Sequence, residues 1–162
     1  MNRLGAPFEV LSFNDLPHAD LTSYKLFVFP GLFEVTPEKL EVLRKYVCNN
    51  NRTALFVYAP GICDGKSLDT ARVNVLCGTE FGAKAISIVN MENWKSVYAS
   101  DYVEVTPQVL KLLAADAGVN IYCEQEAPVF ANSRLLAIHT ATGGEMMKNI
   151  CVYGFILTLP AL

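Results

Sequence analysis

The sequence has no basic stripe: its net charge is −3 and its lysines and arginines are scattered. That argues against a nucleic-acid partner, whose phosphates demand clustered positive charge. No apolar run approaches the ~20 residues that span a bilayer. The longest candidate, Ile150–Leu162, is interrupted by Gly154 and Pro160. The opening stretch, MNRLGAPFEV, lacks the hydrophobic region of a secretory signal. Histidine is scarce, with two in the chain. The five cysteines, Cys48, Cys63, Cys77, Cys123 and Cys151, are odd in number, widely spaced and never in a C-x-x-C. A disulfide framework or a zinc site is therefore not expected, and a reducing, cytoplasmic compartment is. No metal or cofactor is expected. Internal repeats and low-complexity segments are absent.

What remains is an apolar chain of one-domain length: 162 residues, 52% hydrophobic and 18% charged, with a mean hydropathy of +0.28. Two readings account for this. Inner strands of a parallel sheet are apolar on both faces, or apolar surface is reserved for partners. The sequon Asn51-Arg52-Thr53 reads as a polar turn before a strand, given no signal peptide.

The stretch Thr53–Ser67, TALFVYAPGICDGKS, organises the chain. Thr53–Ala59 is predicted to be a buried central strand that runs through a Pro/Gly loop into a short helix over Ser67–Leu76. Before it, Phe8–Phe13 and Lys25–Pro30 read as strands. Thr36 as N-cap, Pro37 at the first helical position and Glu38 in the first turn start a helix carrying Leu40, Leu43 and Val47 on one face. After it, Lys84–Asn90 and Trp94–Ala99 read as strands. Thr106-Pro107 starts another helix, with Val109, Leu110, Leu113 and Ala117 apolar and Gly118 as cap. Asn120–Glu124, Pro128–Ala131 and Arg134–Thr140 read as short strands, Ala141–Glu145 as a turn, and Lys148–Leu159 as a last strand or strand pair. The predicted fold is α/β, three-layered and mostly parallel, with an antiparallel addition near the C-terminus. Phe8–Phe13 and Lys25–Pro30 are joined by a loop alone, whereas parallel neighbours generally need a helical crossover. An upstream strand and helix, ending at Gly5 as a C-cap, would repair this and would make the chain part of a larger protein.

Chemistry in an open α/β sheet gathers at the C-terminal strand ends, which directs attention to the 60–67 loop. Gly61, Gly65 and Lys66 approximate a phosphate loop, but three residues stand between the glycines where the motif has four, and Asp64 adds negative charge. An anion at the following helix N-terminus is the weaker functional reading, and a glycine-rich turn with Lys66 in solvent the stronger. Cys63 within Gly61-Ile62-Cys63-Asp64-Gly65 is a candidate nucleophile, with His139 as its only plausible base. His139 follows Leu135, Leu136 and Ile138, where a hydrogen-bonded core histidine is the plainer expectation, and His18 lies in an early loop. Glu124 with Glu126, and Asp15 with Asp20, are carboxylate pairs that read as solvated loop acids rather than a hydrolytic pair. Tyr24, Phe27, Phe29, Tyr58, Trp94, Tyr98 and Tyr122 include possible sugar-stacking rings, though strand aromatics are more often core or interface.

The run NRLGAPFEVLSFNDLPHADLTSYKLFVFPGLFEVTPEKLEVLRKYV, then LFVYAPG, resembles the middle, trimerisation domain of lactose-type β-galactosidases and related glycoside hydrolases. The later pattern Trp94–Tyr98, Thr106-Pro107 through Tyr122, and Leu135–His139 agrees in order and spacing. The resemblance covers about residues 4–145 and weakens after Ile150. It implies a glutamine-amidotransferase-like flavodoxin fold lacking its first strand and helix. It further implies a domain that contributes to subunit assembly beside a catalytic barrel. The Gly61-Ile62-Cys63 run resembles the nucleophile elbow of class I glutamine amidotransferases. Cys63 is displaced beyond Pro60-Gly61, and His139-Thr140-Ala141 stands where that family has His-x-Glu, so the resemblance implies lost cysteine chemistry. The expected function is a non-catalytic accessory or oligomerisation domain, partnered by further copies or by a barrel domain. The alternatives are a cysteine-dependent amidotransferase or hydrolase at Cys63, and a small anion- or sugar-binding module at the 60–67 loop.

Overall fold

Runs that are apolar at every position cannot form a one-sided sheet, and here they form the inside of a two-sided one. The computed structural model describes residues 4–131, 135–139 and 154–159, the last by backbone alone. Its elements are β1 (Phe8–Ser12), β2 (Tyr24–Phe29), α1 (Pro37–Tyr46), β3 (Thr53–Val57), α2 (Thr70–Cys77), β4 (Ser87–Asn90), β5 (Lys95–Ala99), α3 (Pro107–Asp116), β6 (Val129–Ala131), β7 (Leu136–Ile138) and β8 (Gly154–Leu159). Six strands form one sheet in the order β1-β8-β2-β3-β5-β4, and β6 and β7 form a separate hairpin. All neighbours in the large sheet are parallel except β4 and β5.

Alternate residues of β2 and β3 face opposite layers, as strand geometry requires. Phe27, Phe29, Ala54 and Phe56 join Leu43 and Val47 around α1 and Val73 and Cys77 of α2. Leu26, Val28, Leu55 and Val57 face the other way and join Leu110, Leu113 and Ala114 of α3. Phe29 stacks on Phe56 at 5.2 Å between ring centres. Helices thus cover both faces, and the apolar composition is largely spent inside. Arg52 ties the loops beneath this core: it donates to Tyr46 O at 2.6 Å and Leu21 O at 2.8 Å and lies over the Phe27 ring.

The predicted helix starts of α1 and α3 are observed. Thr36 Oγ1 accepts from Lys39 N–H and Thr106 Oγ1 from Val109 N–H, with proline at the head of each helix. Three expectations are corrected. The helix expected from Ser67 begins at Thr70, capped by Asp69, because Leu68 is bridged back to Cys63. The strand expected from Lys84 begins at Ser87, behind Ala85 in a left-handed conformation (φ 66°). Asn120–Glu124 is not a strand. Instead the N–H groups of Tyr122 and Cys123 both donate to Gly5 O, at 2.7 and 3.1 Å. Gly5 is left-handed (φ +79°), and a Cβ there would lie 1.9 Å from Cys123 O, so no other residue fits the clamp. The antiparallel addition expected near the C-terminus is observed as the β6–β7 hairpin, and the main sheet carries a further antiparallel strand, β4, in mid-chain at its edge.

The loop-only link between β1 and β2 passes over a third strand. β1 and β2 are not neighbours. β8 runs between them, parallel to both, with Val10 and Val28 each in register with Leu157. The separating strand comes from the chain's own C-terminal part. The turn expected at Ala141–Glu145 lies outside the described residues, as does Cys151. Among the described residues no helix is long and apolar enough to cross a membrane.

Two predictions follow from this packing. Deleting residues 154–162 strips β1 and β2 of a shared partner, so the truncated chain is expected to lose its single cooperative urea transition and to bind a hydrophobic dye. An unchanged transition midpoint would show that β8 is dispensable. Secondly, burial pushes the Cys48 and Cys77 thiols up to about 12. Unfolded thiols ionise near ~8.5. Between these values the unfolded chain releases protons that the folded chain keeps, so stability falls as pH rises, by at most about 1.4 kcal/mol per pH unit for each thiol. Urea unfolding of the wild type and of a Cys48→Ala, Cys77→Ala double variant at pH 8 and pH 10.5 checks this. The variant's stability is expected to fall less.

Candidate functional site

The C-terminal ends of β2, β3 and β5 bring together the loops after Phe29, Val57 and Ala99. Thr53–Val57 is buried at every position, and the strand then stops abruptly. The residue that stops it is Tyr58, left-handed at φ 68° and 47% exposed. A bulky residue in this region is a backbone outlier costing on the order of 1–3 kcal/mol. Two hydrogen bonds hold it: Tyr58 N–H donates to Ala99 O at 2.8 Å, and the buried Tyr98 hydroxyl donates to Tyr58 O at 2.7 Å. Tyr98 in turn accepts from Gly82 N–H at 3.2 Å. Burial raises the Tyr98 phenol above its ordinary range, which keeps the donor proton in place.

The strain projects the Tyr58 ring between two other exposed rings. Phe33 meets it edge-on at 5.9 Å, and Tyr102 stacks against it at 6.2 Å. Tyr102 opens a 3-10 turn closed as a capping box by Asp101 and Glu104. Beside these rings a cleft of about 320 Å³ reaches down to Val28, Val57 and Leu110. An aromatic platform, not a nucleophile, therefore occupies the strained turn directly after the central strand. The rule needed to find it was available in the sequence, since an elbow residue follows its strand immediately. What hid it was the strand's end: Thr53–Ala59 was expected to run two residues further.

The 60–67 loop is built differently from the anion cradle it approximates. Cys63 is half-buried; its backbone bridges Glu34, donating to Phe33 O at 3.0 Å and accepting from Val35 N–H at 2.8 Å. Its Sγ accepts from Gly65 N–H at 3.3 Å. Gly61 is left-handed, and a Cβ there would press on Leu76 and Val35. Lys66 points into solvent. The N–H groups of Lys66 and Ser67, which an anion would need, both donate to Asp64 Oδ1 at 2.9 Å. Arg72 donates to Asp64 Oδ2 at 2.8 Å and to Ser67 Oγ at 2.8 Å. The loop carries its own anion, and hydrogen bonds from Ser67 and Lys66, with Arg72 beside them, hold the Asp64 carboxyl below its ordinary range.

Cys63 and His139 are not brought into a catalytic pair. His139 lies at the end of β7, exposed rather than in a core, with its backbone N–H on Pro128 O at 3.0 Å. No imidazole hydrogen-bonds to Cys63, and His18 is exposed in the loop after β1. Glu126 is held by Gln108 at 2.6 Å, and Asp20 accepts from Thr22 at the surface. Among the described residues no three His, Cys, Asp or Glu side chains converge on a possible metal position. Comparison of the chain with family models, with curated proteins and with solved structures found no match.

Replacing Asp64 by Ala uncovers the Lys66 and Ser67 N–H groups and the Arg72 guanidinium together. The variant is expected to bind inorganic phosphate about tenfold more tightly than the wild type, the gain of roughly one charge-assisted hydrogen bond. Phosphate titration followed by amide NMR shifts of residues 64–72 checks this; equal weak binding by both proteins would show that Asp64 is not the loop's anion.

Proposed function

We propose that the chain is a non-catalytic accessory domain of a β-galactosidase-like glycoside hydrolase, working by packing on further copies or on a partner barrel domain. The observation that carries this reading is the ring array Phe33, Tyr58 and Tyr102, 42%, 47% and 50% exposed, standing where an α/β enzyme of amidotransferase type would hold its nucleophile. Grouped exposed aromatics are characteristic of contact surfaces, because rigid rings bury much area at little entropic cost. Val103, 78% exposed, extends the same apolar rim. The strand order, with β8 between β1 and β2, is compatible with the flavodoxin-like layout that the resemblance implies. Free thiols at Cys48, Cys63, Cys77 and Cys123 suit the proposed cytoplasmic setting. A cysteine enzyme at Cys63 finds no support in its surroundings, and the anion module competes with Asp64.

Light scattering over a range of concentrations tests the assembly reading. The wild type is expected to form a dimer or trimer, and Tyr102→Arg to shift it toward monomer. Tyr58→Gly removes the ring while relieving the strained turn, so it is expected to weaken assembly without lowering thermal stability. A wild type that stays monomeric throughout removes further copies as the partner and leaves the barrel domain, whereas an isolated chain that hydrolyses a β-galactoside or glutamine overturns the proposal.

A further inference from the structure

On the opposite side of β3 from α3, the helical layer is open. Between α1 and α2 lies a cleft of about 370 Å³, within the ~300–1,000 Å³ range of small-molecule sites. One wall is formed by Leu40 and Arg44, one turn apart on α1, with Cys48 just past its end. Val75 and Leu76 of α2 and Trp94 also line the cleft. Trp94 rests edge-on against the core ring of Phe56 at 6.4 Å, so that part of the lining is anchored. Val75 is left 78% exposed on the rim.

The cleft's charge is one-sided. Among the described residues its charged lining is Arg44 and Arg72, with no carboxylate. Arg72 is committed to the 62–67 loop, donating to Ser67 O at 3.1 Å as well as to Asp64. Among the described residues Arg44 is held only by Glu41, three residues earlier, at 2.9 Å, with the two side chains 61% and 72% exposed. Such exposed pairs are worth a few tenths of a kcal/mol and exchange readily for a better acceptor. A guanidinium can hold a carboxylate by two parallel hydrogen bonds, while the walls take an apolar body. We propose that the α1–α2 cleft is a binding site for a medium-chain alkyl carboxylate, its tail between Leu40, Val75, Leu76 and Trp94 and its head on Arg44.

The chain has a single tryptophan, so the cleft carries its own probe. Titration of the intact protein with sodium decanoate below its micelle concentration, read by Trp94 fluorescence, tests the site. A saturable change is expected, weakened about fivefold or more in Arg44→Gln and with 1-decanol in place of decanoate, the loss of a charge-assisted contact. Ala71 lies exposed on the cleft wall, so Ala71→Phe is expected to fill the cleft and abolish the response while leaving the circular dichroism spectrum unchanged. No saturable response in the wild type, equal affinity for decanol and decanoate, or unchanged binding by Ala71→Phe would overturn the proposal.

Discussion

Everything in this fold is arranged around one strand that has no exposed side. Thr53, Ala54, Leu55, Phe56 and Val57 are at most 2% exposed. Such a strand must be hydrogen-bonded along both edges and covered on both faces, since an unpaired buried N–H or C=O is costly. β2 and β5 supply the edges, and α1, α2 and α3 supply the faces. The same requirement reaches outward to β2, whose other edge is satisfied by β8. An interior slot filled by β8 makes contacts of very long sequence separation, the kind whose loop-closure entropy is paid before they stabilise.

The carboxyl ends of these strands show how similar backbones serve different ends. The strained position after β3 holds Tyr58, and the energy stored there is matched by hydrogen bonds from Tyr98 and to Ala99. Two residues on begins the loop that sequence would nominate for chemistry, and it is saturated by itself. Asp64 collects two backbone N–H groups and a guanidinium. One turn displays rings to the outside and the other satisfies its own donors.

The helix starts were legible because their signals are local. Thr36-Pro37 and Thr106-Pro107 set the cap and the first turn within four residues, and nothing distant competes. The start of α2 was misread because the competitor is tertiary: Leu68 is drawn into a bridge with Cys63, so Asp69 becomes the cap. Asn120–Glu124 has strand-like residues, but its N–H groups are taken by Gly5, more than a hundred positions earlier. Ala85 and Tyr58 sit at positive φ, which no propensity for alanine or tyrosine would suggest.

Composition and periodicity alone determined the class. Runs such as LFVF and ALFV require burial on two faces, and two Thr-Pro starts with apolar stripes provide helices to bury them. Cysteine spacing and scattered charge also stand on the sequence by itself. The tertiary structure alone decided which strands are neighbours, because pairing depends on edges left open elsewhere and not on the paired residues' own pattern. β8 parts β1 from β2 for that reason. It likewise decided that Tyr58, not Cys63, occupies the strained turn, because the place where a strand stops is set by the hydrogen bonds its neighbour can still offer.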